Sequence, residues 1–74
     1  MRKGTRVYVQ YDDITASLHD DKDLDCVVAE VMGWIISDTK KHLKIATCRY
    51  MDGCDHKDRM SIPQGCVIKK EAII

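Results

Sequence analysis

CVVAEVMGWIIS, residues 26–37, is the stretch that decides the fold. Eleven of its twelve residues are small or apolar, and several are β-branched, which favours a strand with both faces buried. Such a stretch forms either a central strand of a parallel sheet or a bent strand whose two halves belong to two sheets. A parallel sheet needs crossover helices, and the chain has no long helical pattern. We therefore predict a bent strand with its bend at Gly33, because glycine inside a strand often marks a bulge or barrel corner.

Shorter segments around this stretch show strand patterns of their own. TRVYVQY alternates, with Val7, Val9 and Tyr11 on one face, and RMSIP places Met60 and Ile62 on one face. The predicted strands besides the bent one are residues 5–11, 42–50, 59–63 and 66–73. A short 3₁₀ turn is expected before the last of them. The pattern predicts a mainly β fold: a small, five-stranded, partly open barrel of the SH3-like or Sm-like kind.

The length and charge of the chain limit its functions. Its 74 residues predict a single domain, residues 1–74, whose small core favours help from a metal or a partner subunit. Twelve basic and twelve acidic residues cancel, so no global field draws the protein to nucleic acid or to an anionic membrane. Six of the acids fall within residues 12–25, which are predicted to form an acidic loop after the first strand.

The absence of a long apolar run predicts a cytoplasmic protein that does not enter a membrane. Four cysteines could form two disulfides in a secreted domain, but without a signal peptide their thiols are expected to be reduced. Metal binding and plain burial are then the alternatives.

Of metal binding and plain burial, a zinc site is the more specific hypothesis. Its ligands would be one Cys₃His set, namely Cys48, Cys54, His56 and Cys66. The C-x5-C-x-H spacing departs from the usual zinc knuckle. Cys66 beside Val67, and Cys48 on the face of Ala46, also fit packed thiols. Burial of the thiols is the preferred interpretation, and no cofactor is expected otherwise.

Asp21, Asp23 and Asp25 follow the first ligand positions of a calcium-binding EF-hand loop. Cys26 and Met32 stand where that loop needs glycine and a bidentate glutamate, so a solvated acidic loop is favoured. Such a loop, with Asp20, Asp21 and Asp23, could face a basic partner.

Nucleic-acid binding and catalysis have weaker support. The cations and imidazole that could contact nucleic acid are Lys40, Lys41, His42 and Lys44, with Arg49 and Tyr50 expected nearby. Neutral net charge and few aromatic rings make a solvated hairpin the preferred interpretation. No orienting group or cavity marks a catalytic cysteine and histidine pair, so no enzyme is predicted.

VVAEVMGWII, followed by SIPQGCVIK, resembles a family of short bacteriophage and prophage proteins in which a Gly-Trp strand precedes an Ile-Pro-Lys-Gly-Cys-Ile element. Gln64 replaces the lysine of that element. The resemblance covers about two thirds of the chain. It implies an accessory protein in the cytoplasm of a bacterial host, and by extension an inhibitor of host or defence machinery. It implies no reaction.

The order GWIISDTKKHLKIA…MSIPQGCVI is similar in layout to Sm-like proteins. Their RNA-contacting asparagine is missing, with His42 near its place, and Pro63-Gln64 replaces the arginine of their Ile-Arg-Gly element. The resemblance therefore implies the strand layout rather than RNA binding.

Trp34 is the large aromatic residue without an obvious place in this layout. It either packs at the core or rim of the barrel, which is preferred, or anchors a partner, a role in which tryptophan is favoured. We expect a noncatalytic module that binds a host or phage protein through a strand edge, the acidic loop or self-association. Nucleic-acid binding through residues 40–44 is the alternative.

Overall fold

The computed structural model describes residues 1–13, 27–52 and 57–74. Within these ranges the chain forms five antiparallel strands in one sheet and no α-helix, which confirms the mainly β prediction. The strands are β1 (Arg6–Asp13), β2 (Val27–Asp38), β3 (His42–Cys48), β4 (Lys57–Pro63) and β5 (Val67–Ala72). A 3₁₀ turn at Gln64–Cys66 joins β4 to β5, as predicted. The described part of the chain contains no helix that could span a membrane.

The strand order is β4-β3-β2-β1-β5, so the first strand lies between the second and the last. Consecutive strands pair from β1 to β4, and β5 returns to the free side of β1. Among the described residues, β4 pairs only with β3 and β5 only with β1. The sheet is therefore open, with β4 and β5 as its two edges.

The core lies on one face of the sheet, here called the inner face. Val7, Val9, Ile35, Leu43 and Ile45 are fully buried there. Register pairs Ile35 with Ile45 and Leu43 with Ile62, as expected from the alternating sequence, because directly opposed residues share a face. The partly buried residues packed against this core are Tyr11, Val31, Met60, Cys66 and Val67.

β2 is strongly bent. In the register of the sheet, Val9 of β1 pairs with Val31 of β2 on one side and with Lys70 of β5 on the other. Asp38 lies seven residues beyond Val31, which would be about 23 Å away along a straight strand. Yet the Lys70 ammonium lies 2.7 Å from the Asp38 carboxylate, a distance that a flat sheet could not give. The end of β2 therefore turns back over the inner face, as its sequence predicts.

The bend falls in a span that contains Gly33 and a register shift between Ile35 and Ser37. A Cβ added at Gly33 would overlap the Ala46 carbonyl oxygen and lie 3.1 Å from its carbon. Glycine is required here because β2 and β3 approach too closely for any side chain.

Asp38 gathers contacts from distant parts of the chain, here called the Asp38 clip. Its carboxylate accepts hydrogen bonds of 2.7 Å from the Lys70 ammonium, the Met1 amino group and the Gln64 amide. The side chain of Asp38 is only 7% exposed. These bonds from Lys70, the amino terminus and Gln64 hold the pKa of Asp38 at about 2, against burial, which raises it. Side chains thus tie β2, β5 and the 3₁₀ turn together where no backbone ladder does so in the described residues.

The predicted acidic loop begins too early. Asp12 and Asp13 belong to β1, where they pair with Val28 and Val27. The sheet extends over them because the apolar start of β2 supplies a partner strand that the local sequence of residues 12–25 does not reveal. The rest of that predicted loop lies outside the described residues.

Candidate functional site

Trp34 lies on the outer face of the sheet, opposite to the core. Its neighbour Ile35 points inward, and register places Arg6, Trp34, Ala46 and Arg59 in one row across four strands. The expectation that Trp34 packs at the core or rim is therefore refined: its ring covers the outer side of the sheet and is only partly buried.

The guanidinium of Arg49 stacks on the Trp34 ring, with Cζ 4.7 Å from the ring centroid. Ala46, which pairs with Trp34 in the register, is fully buried although it is on the outer face. The Nε1 atom of Trp34 is buried and has no hydrogen-bond partner within the described residues. A buried donor left unpaired costs about 1–3 kcal/mol, which other contacts of the ring must offset.

A groove of about 310 Å³ adjoins the ring and is here called the Trp34 groove. Its lining residues are Arg6, Met32, Gly33, Trp34, Thr47 and Ile73. Met32 is 65% exposed and Ile73 is 38% exposed, which is unusual for large apolar side chains that share one groove. The groove thus combines apolar side chains, tryptophan and arginine, the residue types that dominate binding energy at protein interfaces.

A polar network borders Met32 on the outer face. The Tyr8 hydroxyl donates to the Glu30 carboxylate at 2.6 Å and accepts from the Gln10 amide at 2.9 Å. The hydrogen bond that the neutral hydroxyl donates to Glu30 favours the protonated form and raises the pKa of Tyr8, and the bond from Gln10 partly offsets this effect. Met32 lies directly opposite Tyr8 in the register, so this network fixes one border of the apolar surface.

A second groove, of about 290 Å³, lies at the open side of the sheet and is here called the β4-edge groove. Its lining residues are Tyr11, Asp12, Asp13, Met60–Pro63 and Cys66. Tyr11, Met60 and Cys66 also pack against the core, so its apolar lining is continuous with the interior. The sequence predicted that Tyr11, Met60 and Cys66 pack in the core, but it did not predict the groove. Only the pairing of β1 with β5 shows that β4 is left at an open edge of the sheet.

The predicted basic residues Lys40, Lys41, His42 and Lys44 are all exposed at the turn between β2 and β3 and at the start of β3. Arg49 and Tyr50 follow the other end of β3, which spans about 20 Å over its seven residues. Tyr50 therefore belongs to the same hairpin as the basic turn but lies at its other end. Lys44 instead shares an outer-face depression with Arg59 and two serines, Ser37 and Ser61.

The structure does not bring Cys48 and Cys66 together. Ile45 faces inward, so Ala46 and Cys48 both lie on the outer face of β3. Cys66, by contrast, packs against the core on the inner face. A tetrahedral zinc ion needs all its thiolate ligands within about 2.3 Å of one point. Cys54 and His56 lie outside the described residues, and within those residues no group of three metal-ligating side chains occurs. The four-ligand zinc site stays a prediction.

The aspartates expected to contact a partner, Asp20, Asp21 and Asp23, also lie outside the described residues.

Comparison of the chain with protein-family models, with curated proteins and with solved structures found no match. The functional argument therefore rests on the two grooves and the surfaces beside them.

Proposed function

We propose that this chain is a noncatalytic protein-binding module whose principal contact surface is the Trp34 groove. The observation that carries the proposal is the exposed pair Met32 and Ile73 beside the partly exposed ring of Trp34. Burying apolar surface drives protein association, and tryptophan and arginine are enriched among residues that dominate interface energies. Arg6 and Arg49 make the rim of this surface basic, so it suits a partner with an apolar centre and acidic or carbonyl acceptors.

The resemblance to short phage and prophage proteins supports a more specific setting. In that setting the module acts in the cytoplasm of a bacterial host as a phage or prophage accessory protein. Its partner is then a host or phage protein, and inhibition of host or defence machinery is the narrower form of the proposal.

The finer fold proposed with this function is a partly open barrel of the SH3-like or Sm-like kind. Three features support it: the strand order, the 3₁₀ turn between β4 and β5, and the bend that carries Asp38 back to Lys70. In this arrangement the Asp38 clip takes the place of part of the missing ladder.

The test is capture of a partner from bacterial cells by the tagged protein, followed by measurement of its affinity with purified components. Met32→Glu should weaken binding at least about tenfold, because it places a charge in the apolar centre of the surface. Ile68→Glu is the matched control, since Ile68 is 51% exposed and does not line the groove. A partner that binds Met32→Glu and the unaltered protein equally well would refute the assignment of the surface.

Nucleic-acid binding is the second candidate function, supported by the exposed basic turn and by the depression that Lys44 shares with Arg59. Phosphate contacts by lysine and arginine make affinity fall steeply with salt. The test is retention of the protein on single-stranded oligonucleotides at low and moderate salt. Absence of retention at low salt would exclude this function, and a steep salt dependence lost in Lys44→Ala would support it.

A further inference from the structure

Two serines flank Lys44 on the outer face of the sheet. The register pairs Lys44 with Ser37 on one side and with Ser61 on the other, so the three residues form one row across β2, β3 and β4. Directly opposed residues share a face, with their Cβ atoms about 4.5–5.5 Å apart. Lys44 stands between the buried Leu43 and Ile45, so the row points away from the core. An ammonium and two hydroxyls thus lie side by side on one surface.

These three donors are not engaged by the fold. Within the described residues, no hydrogen bond or ion pair involves the Lys44 ammonium or the hydroxyls of Ser37 and Ser61. Lys44 and Ser61 are exposed and Ser37 is half-buried, so a ligand can reach them. Arg59, two residues before Ser61, lines the same depression. Arg59 has an interaction of its own, and the site does not depend on it, although a guanidinium has five N–H donors.

The depression around this row, here called the Lys44 depression, has a volume of about 400 Å³. Small-molecule sites usually measure about 300–1,000 Å³ and combine apolar lining with a few polar groups. Ile36 and Met60, both half-buried, complete the described lining, which contains no acidic residue. The register shift of β2 falls at Ile36, and such bulges bend a strand and re-aim its side chains. The depression therefore offers positive charge, hydroxyl donors and apolar surface together.

A phosphate monoester matches these groups better than other common anions. It carries about 1.5 to 2 negative charges at neutral pH and three terminal oxygens that accept hydrogen bonds, whereas a carboxylate has one charge and two oxygens. Lysine binds phosphate as a point charge, and the hydroxyls can donate to the remaining oxygens. An organic group on the phosphate would contact the apolar lining. We propose that the Lys44 depression binds a small phosphate monoester with an apolar organic body.

This site is separate from the Trp34 groove and does not depend on the protein-binding function. It shares Lys44 with the nucleic-acid alternative, but the two require different neighbours. Phosphates repeat along a nucleic-acid strand, so that alternative would also use the turn residues Lys40 and Lys41. Neither of these lysines lines the Lys44 depression.

The probe is phenyl phosphate, titrated at neutral pH into ¹⁵N-labelled protein and followed by NMR. Saturable shifts should centre on the amides of Ser37, Lys44 and Ser61, with a dissociation constant of about 1 mM or below. Inorganic phosphate lacks the organic body and should bind at least about threefold more weakly. Methyl phenyl phosphate, a diester with a single charge, should bind about tenfold more weakly than phenyl phosphate.

Substitutions on the protein complete the test. Lys44→Met should weaken phenyl phosphate about tenfold, because it removes the cation and keeps much of the side chain's length. Ser61→Ala should weaken it about threefold through the loss of one hydrogen bond. Lys40→Met is the matched control, since Lys40 is also exposed but lies outside the depression, and it should change affinity less than about twofold. Lys44→Gln replaces Lys44→Met if that variant does not fold by circular dichroism.

Three results would overturn the proposal. The first is absence of saturable shifts at about 10 mM phenyl phosphate. The second is equal loss of affinity in Lys44→Met and Lys40→Met, or equal binding of the monoester and the diester. The third is binding of a single-stranded oligonucleotide or a phosphotyrosine peptide in the Lys44 depression more than about tenfold tighter than phenyl phosphate, which would make a macromolecule the ligand.

Discussion

Replacing Asp38 by asparagine tests whether the Asp38 clip holds the bent sheet together. The substitution keeps the shape of the side chain but removes the charge that accepts hydrogen bonds from Lys70 and the Met1 amino group. It leaves the Lys70 ammonium, which is 32% exposed, without its anionic partner. We expect loss of stability without loss of the fold, because the core residues are untouched.

The magnitude follows from the pKa of Asp38, which is about 2 in the folded protein against an ordinary value of 3.8. At about 1.4 kcal/mol per pH unit, this difference corresponds to about 2.5 kcal/mol, which solvent screening reduces to about 1–2 kcal/mol at neutral pH. Because the folded pKa is the lower one, the stabilisation is complete above about pH 5 and is lost as the pH falls towards 2. Asparagine does not titrate, so the difference between the two proteins should fall to about half by pH 3.

The assay is urea unfolding of both proteins, followed by circular dichroism at pH 7, 4 and 3. In thermal unfolding, each kcal/mol should appear as a decrease of about 4–8 °C for a domain of this size. Glu71→Gln is the control, since it breaks the exposed Lys69–Glu71 pair of 3.1 Å, and such surface pairs contribute less than about 1 kcal/mol.

Two results would refute this reasoning. One is a difference below about 0.5 kcal/mol at pH 7, within the range of ordinary surface substitutions. The other is a difference that stays constant as the pH falls, since a loss that does not titrate cannot come from the carboxylate charge.

Other expectations concern packing and metal content. Gly33→Ala should destabilise the protein by about 1–3 kcal/mol or more, because the added methyl group overlaps the backbone of Ala46. Gly65→Ala, with open space around the new methyl group, should be neutral or slightly stabilising in the same urea titration, and equal losses in both variants would contradict the close approach. Ile35→Ala should cost about 2–5 kcal/mol in urea unfolding, because it leaves a cavity in the core, and a loss below 1 kcal/mol would contradict its burial. Excess chelator should leave the thermal melting curve unchanged, and a lower, less cooperative transition would establish a structural metal instead.

The strands were predictable because their side chains alternate or run continuously apolar. The alternation of Val7 and Val9 with polar residues was enough to identify β1. The bend in β2 was predictable because its apolar run is too long for a single flat strand and contains Gly33. The end of β1 was not predictable, because Asp12 and Asp13 are poor strand formers that are held there by their pairing with the start of β2.

The candidate sites were harder to predict, because they depend on contacts between residues far apart in the sequence. Trp34 stands in a run that is apolar on both faces, so only its position next to the inward-facing Ile35 assigns it to the outer face. Asp38 is separated from Lys70 by 32 residues, and its sequence context is that of an ordinary polar turn. Met32 and Ile73 come together only because β5 returns to pair with β1.

The position of β1 between β2 and β5 also has a consequence for biosynthesis. While the chain is being made, β1 to β4 can pair in order, but one edge of β1 has no partner until β5 leaves the ribosome. The backbone N–H of Ile73, which follows β5, donates to the carbonyl oxygen of Arg6 in β1, so this bond also requires the end of the described chain. A nascent or truncated chain that lacks residues 67–74 would therefore expose the strand carrying Val7 and Val9, and would be open to aggregation or chaperone capture at that edge.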